Sequence, residues 1–221
     1  MATSEFPAAT MKLVGGDPCL DFVNTVGGRV SAGRGSSVSR VLADKLSGYA
    51  DLVAWGRHAG LLGEADARRL EHRAEGNPRE AAAVLGRARA LREALYRTLT
   101  SLMRGGRPAR EDLHLLNAEV GAARSREALR AGRHAVRWEW VDPGGRLDSL
   151  LWPIGRAAAA LVTSDLKRLR QCGGDRCGWL FLDRSRNRSR QWCTMEDCGN
   201  VSKVRRFRER HVGPRGTGGD A

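Results

Sequence analysis

Nowhere in the 221 residues is there a run approaching the roughly 18 consecutive apolar residues that a bilayer span requires, which excludes a helical membrane protein. The first thirty residues also lack a charged stretch followed by an apolar core and a cleavage site, so the expected location is cytoplasmic. Aromatic residues are scarce at 5% against 29% charged, a helix-leaning soluble composition. There is no GxSxG, and no GxxxxGK followed by Ser or Thr, so a serine-hydrolase elbow and a phosphate loop are both missing. No repeat of solenoid period is present. What is there, 41% hydrophobic residues, is enough for a buried core in one large or two modest domains.

Acid is scarce where base is abundant. Residues 167–215 hold 14 Lys/Arg against five Asp/Glu, whereas the rest of the chain has 24 against 20. The cationic surface that seeks a partner is therefore C-terminal. Four of the five cysteines fall in the same stretch, and no histidine occurs between residues 167 and 210. Composition thus divides the chain into residues 1–166, residues 167–212 and a short tail, 213–221, expected to be disordered.

The cysteines are spaced Cys172-x4-Cys177-x15-Cys193-x4-Cys198. Two matched pairs joined by a loop long enough to fold back can deliver four thiolates to one tetrahedral ion, and one zinc per chain is the economical reading. Disulfides are disfavoured in a reduced compartment, and the two-plus-two pairing, with no CxxCxxC run, argues against an iron–sulfur cluster. Gly173, Gly174 and Gly178 suit tight turns around the sulfurs, and Trp179–Leu182 reads as a short apolar strand. Beyond Cys198, Val201, Val204 and Phe207 recur at helical spacing among Lys203, Arg205, Arg206, Arg208 and Arg210. A knuckle leading into a hairpin, then a basic helix pinned by the second cysteine pair, describes a treble-clef-like finger. Trp179, Phe181, Trp192 and Phe207 are its expected small core.

The first 166 residues read as mostly helical. Met11–Val14 suggests a short strand, Asp17-Pro18 a helix start, and the acid-free segment from Gly27 to Arg40 a mobile basic loop. Helices follow from Asp44 to His58, from Glu64 to Ala74, from Asn77-Pro78 to Gly105, from Pro108 through Val120, and from Leu147 to Ser164. Between the last two, Val136, Trp138 and Trp140 alternate with Arg137 and Glu139, the pattern of a half-buried strand. His58, His72, His114 and His134 are scattered without metal-ligand spacing, and Cys19 suits a small buried hydrophobe. Asp21, Asn24 and Thr25 are candidates for a polar ligand pocket, although such residues more often bond neighbouring backbone. No catalytic constellation emerges, and the expectation is that the chain is not an enzyme.

Three stretches, Cys177–Asp183, Ser185–Arg190 and Trp192–Asn200, resemble the CGNR-type zinc finger of bacterial stress-induced transcription regulators. Leu20–Thr25, Trp55 with Gly60–Leu62, and Leu91–Tyr96 are similar to the ABATE domain that precedes that finger. The namesake arginine is Val201 here. The resemblance implies an α+β fold: a two-layer α/β N-terminal domain, mostly helical with a small sheet, then the finger. It also implies DNA as the partner and no catalysis. On the residues themselves, Arg184, Arg186, Arg188 and Arg190 alternate, and if extended would form one row of donors facing phosphates. The helix with Lys203, Arg205, Arg206, Arg208 and Arg210 would then enter a groove. The expected function is a DNA-binding transcription regulator whose N-terminal domain senses a small effector or mediates assembly. A protein-interaction finger and an RNA-binding protein are the alternatives. A nuclease would need a histidine base and a second, catalytic metal site, whereas residues 167–210 hold no histidine and His211 lies at the far end of the helix. Oligomeric state, operator and effector are not legible.

Overall fold

The computed structural model describes residues 7–31 and 39–211. A short 3-10 turn (Ala8–Thr10) precedes α1 (Pro18–Val23) and the antiparallel hairpin of β1 (Val26–Ser31) and β2 (Ser39–Asp44). Four helices follow: α2 (Tyr49–His58), α3 (Glu64–Gly76), α4 (Pro78–Met103) and α5 (Arg110–Arg124). A second hairpin, β3 (Glu127–Ala131) with β4 (Val136–Trp140), leads to α6 (Leu151–Val162). The third hairpin, β5 (Leu169–Gln171) with β6 (Leu180–Leu182), belongs to the cysteine segment, and α7 (Asn200–His211) closes the described chain. This is the mostly helical α+β fold with small two-stranded sheets that the sequence implies.

The helix starts follow local chemistry. Asp17 accepts from the Cys19 amide at 2.9 Å, and Pro18 sits at the first helical position, where its missing N–H costs nothing. Along α4, Val84, Ala88, Leu91, Leu95 and Leu99 recur at helical spacing and are all buried. They meet Leu20 and Phe22 of α1, Leu52 and Trp55 of α2, and Leu150 and Ile154 from the α6 region in one core. Cys19 is fully buried there, and burial pushes its thiol well above the ordinary range. Leu169 and Leu180, from the cysteine segment, belong to the same core.

Several expectations are corrected. Met11–Val14 is not a strand, and the segment from Gly27 to Arg40 is not simply a loop: both its ends pair as β1 and β2, while residues 32–38 lie outside the described residues. The charge that made it look mobile is partly hidden. Arg29, 5% exposed, is held bidentately by Glu93 at 2.6 and 3.0 Å, with its guanidinium 3.9 Å from the Tyr96 ring centre. Arg92, also buried, grips Asp44 at 2.7 and 2.6 Å. Burial raises both carboxyls, but the guanidinium partners outweigh it and hold Asp44 and Glu93 below the usual carboxylate range. Asp44 therefore ends β2 rather than starting α2, which begins at Tyr49 behind the Asp51 carboxylate bonded to the Ser47 and Gly48 amides.

Leu147–Leu150 is a 3-10 turn that precedes α6. The strand at Val136–Trp140 exists but is not half-buried on its apolar side, where Leu129, Val136 and Trp138 are each at least 60% exposed. Trp140 alone of that row turns inward, with its ring 6.0 Å from that of Trp152. The tail at 213–221 lies outside the described residues.

Candidate metal centre

The third hairpin carries the first cysteine pair in its connection. Leu169 pairs with Leu182 and Gln171 with Leu180, so the strands flank the knuckle instead of following it as the sequence suggested. The Cys172 amide donates to the Trp179 carbonyl at 2.8 Å, and Cys177 N to Gly174 O at 3.1 Å, folding the connection back on itself. The second pair arrives from the other side: Cys193 donates its amide to Cys172 Sγ at 3.2 Å, and Cys198 lies on a π-helical turn (Met195–Gly199) that runs into α7. The Thr194 side chain caps that turn by accepting from Asp197 N.

The four sulfurs lie within 4.8 Å of one another, with Cys177–Cys193 at 3.6 Å and Cys193–Cys198 at 3.5 Å. A tetrahedral zinc with bonds of about 2.3 Å sets sulfur–sulfur edges near 3.8 Å, so the group fits one such ion. Gly174 makes room for it, since a Cβ there would stand 3.1 Å from Cys198 Sγ and 3.2 Å from Cys177 Cβ. Thiolates packed this closely repel one another, and a dication removes that repulsion.

The centre is welded to the first 166 residues. Asn24, fully buried, donates to Leu180 O at 2.8 Å and accepts from Leu180 N at 2.9 Å, so one side chain satisfies both backbone groups of a β6 residue. The Leu182 amide donates to Gly15 O, Trp179 Nε1 to Val26 O, and the Arg29 amide to Cys177 O. Gly178 and Gly28 both have positive φ, and a Cβ at Gly178 would come within 2.6 Å of Arg29 Cβ, so only glycine allows that approach. Lys12 reaches Glu196 at 3.0 Å and Asp197 at 2.8 Å, and holds the Asp197 carboxyl below its usual range.

Asp21, Asn24 and Thr25 do cluster, but around backbone. Thr25 donates to Phe22 O and accepts from Arg92, and the Asp21 carboxylate accepts from Gly15 N. Of the three, Asn24 alone bonds the cysteine segment, and it locks α1 to β6. Burial pushes the Asp21 carboxyl up to about 6, against the Gly15 and Val14 amides that lower it. The native state thus binds this proton more tightly than the unfolded chain, whose value is near 3.9. That stabilisation is complete below about pH 4 and is lost as the pH rises through 6. In paired urea titrations, Asp21→Asn should gain about 1 kcal/mol on wild type between pH 5 and pH 8.

A family model described as "Putative stress-induced transcription regulator", ABATE, matches residues 16–165, more than half of the sequence. The chain belongs to the ABATE family. A second model, the CGNR zinc finger, matches residues 168–211 and makes the ion of the four-cysteine group zinc. Neither is an enzyme family. Among curated proteins, none matches the chain.

Behind the ABATE segment, the finger distributes its arginines differently from the expected row. Asp183, completely buried, accepts from Ser185 N, Ser185 Oγ and Arg190 N, and the Ser185 bonds above all hold its carboxyl low. The chain therefore wraps around that carboxylate, with Arg188 at φ 52°, instead of running straight. Arg184 donates to Gly16 O, and Arg190 turns inward to the Trp192 and Cys193 carbonyls, with its guanidinium 4.2 Å from the Phe181 ring centre. Arg186 and Arg188 stay exposed and make no ion pair among the described residues.

In the ABATE chain's last helix, α7, only Ser202 is buried. Arg205 is paired with Asp175 and Glu209, and Arg206 lies 5.9 Å from the Trp192 ring centre. Lys203 and Arg208 are exposed without an ion pair among the described residues, and Arg210 bonds only the Arg206 carbonyl of its own helix. Phe207, expected in the finger core, is 56% exposed and stacks on His211 at 4.0 Å. Val201, where the family name has arginine, is 70% exposed. Sequence reasoning missed the buried anchors Arg29 and Asp183 and took the half-buried Arg190 for a solvated donor, because nothing in a local pattern distinguishes a buried charged side chain from a solvated one.

Proposed function

We propose that this ABATE protein is a DNA-binding transcription regulator. Cys172, Cys177, Cys193 and Cys198 ligate one zinc, the treble-clef-like finger presents α7 to a groove, and the ABATE segment senses an effector or mediates assembly. The reading is carried by one observation: α7 leaves the metal centre with its whole length but Ser202 exposed, and its surface is basic. Zinc here is structural, since four thiolates leave it no open position for substrate. Arg186 and Arg188 suit phosphates, whereas Lys203, Arg206, Arg208 and Arg210 suit the groove face. Arg205 is committed to its two carboxylates.

Arg188→Ala should weaken binding to all duplexes alike and reduce the log–log salt slope by about 0.9. Arg208→Ala should instead cost roughly 1–3 kcal/mol, concentrated at one base position. Val201→Arg should tighten binding by restoring a cation to an exposed position. Fluorescence anisotropy over a salt series, with single-base operator variants once a site is selected, checks all three. A second reading has its own observation: exposed Val201, Val204 and Phe207 form an apolar stripe on α7 suited to a protein partner. If Phe207→Ala abolishes a protein complex while DNA affinity stays flat, that reading replaces the first.

A further inference from the structure

The second hairpin leaves the ABATE core toward its tip. β3 and β4 pair only with each other among the described residues, and a two-stranded sheet is marginal in water unless a further strand or a helix covers it. At the base, Glu127 faces Trp140, whose ring rests on Trp152. Toward the tip, Leu129 faces Trp138 and Ala131 faces Val136, and Leu129, Val136 and Trp138 are 60%, 64% and 60% exposed. Those three side chains present on the order of 400 Å² of apolar surface, the size of patch that marks an interaction site.

The phase of the ladder fixes which backbone groups are free. Val141 donates its amide to Arg126 O and Gly132 donates to Ala135 O, both at 2.8 Å. Antiparallel bonding alternates along a strand, so Arg137 and Glu139 bond β3, while Val136, Trp138 and Trp140 turn their N–H and C=O to the open side of β4. Edges kept from pairing carry an unbalanced charge such as lysine, a proline or a bulge. β4 has no lysine or proline, and its register runs unbroken. Its two charges, Arg137 and Glu139, are opposite in sign and stand symmetrically about Trp138.

We propose that the open edge of β4 pairs antiparallel with β4 of a second copy of this chain, about a two-fold axis through Trp138. Trp138 then lies opposite its own equivalent and exchanges both backbone bonds with it, Val136 lies opposite Trp140, and Arg137 lies opposite Glu139. The Arg137 and Glu139 positions form non-hydrogen-bonded pairs, in which side chains approach most closely. Arg137 already bonds Glu139 of its own strand at 2.6 Å, so the pairing closes a ring of four charges in which each is flanked by two of opposite sign. β3 offers no such match: centred on Leu129, it would set Arg130 against Ala128. The register also brings each tip to the base of the other hairpin, where Val120, Ala123 and Ala159 line a groove of about 420 Å³. The two patches alone give on the order of 800 Å², and the edges and grooves supply the rest of the roughly 1,200 Å² that a stable interface buries. Such a contact is isologous and closes at two chains. It deepens the assembly role proposed above, and only its consequence, a two-fold pair of fingers suited to paired half-sites, rests on the DNA-binding reading.

The test uses the full zinc-loaded chain in sedimentation velocity. Wild type at micromolar concentration should sediment as a dimer, and the Trp138 and Trp140 amides should slow in hydrogen exchange as concentration rises. Arg137→Glu and Glu139→Arg should each raise the dimer dissociation constant at least about tenfold, since each sets like charges opposite one another twice per dimer. An equimolar mixture of the two variants restores both matches and should dimerise again, which also shows that neither variant is misfolded. A monomeric wild type, variants that dimerise unchanged, or a mixture that stays monomeric would each overturn the proposal. So would a dimer whose Trp138 amide exchanges freely, because a different face would then have formed it. A dimer that binds no duplex keeps this interface and removes the DNA reading, whereas a monomer that binds duplex does the reverse.

Discussion

Cys193→Ser is expected to abolish zinc binding and melt the finger's second half. Cys193 is one corner of the tetrahedron, with Cys177 Sγ at 3.6 Å and Cys198 Sγ at 3.5 Å, so its loss leaves three thiolates and a fourth position that serine does not fill as a thiolate would. The free energy at stake is large, about 10–16 kcal/mol for zinc in finger peptides at neutral pH. What depends on it is equally plain. α7 is a twelve-residue helix whose only buried residue is Ser202, and isolated helices of this length are marginal in water. Without the metal-pinned π-helical turn, what ties it down is buried Ser202, the half-exposed Arg205–Asp175 pair and the approach of Arg206 to Trp192, which is too little to hold it. Elemental analysis should fall from one zinc per chain to none, and the amides of residues 194–211 should exchange at unfolded rates. Leu169 and Leu180 lie in the ABATE core, so the β5–β6 amides should keep more protection than those of α7. Retention of α7 protection after complete chelation would refute the metal's role as its anchor.

Asn24→Ala should lower global stability by about 2–6 kcal/mol, because it strands two buried backbone groups at about 1–3 kcal/mol each. Leu180 N and Leu180 O lose their only partner in that side chain, inside a region closed to water. Asn24→Asp tests the geometry: it can still accept from Leu180 N but cannot donate to Leu180 O, and it buries a charge, so it should be no better than alanine. Urea denaturation of the zinc-loaded protein, followed by far-ultraviolet circular dichroism and by tryptophan fluorescence, measures both. A loss below about 0.5 kcal/mol for Asn24→Ala would mean that the contact between α1 and β6 is incidental.

Features that depend on near neighbours along the chain are legible in the residues alone. Asp17-Pro18 starts a helix because capping is satisfied within one turn, and α4 is legible from its apolar spacing and its closing Gly105. The two cysteine pairs declare a metal centre, since four thiolates at that spacing have few other uses. Features that depend on distant partners emerge only on packing. Arg29, in a glycine-rich stretch that looked solvated, is buried because Glu93 and Tyr96 of α4 receive it. The alternating arginines do not line up, because Asp183 collects three donors and bends the chain around itself. Trp138 remains exposed because alternation fixes which side chains share a face, but only packing decides whether anything covers that face. Asn24 could have lined a pocket or capped a turn; the arrival of β6 against α1 made it a lock.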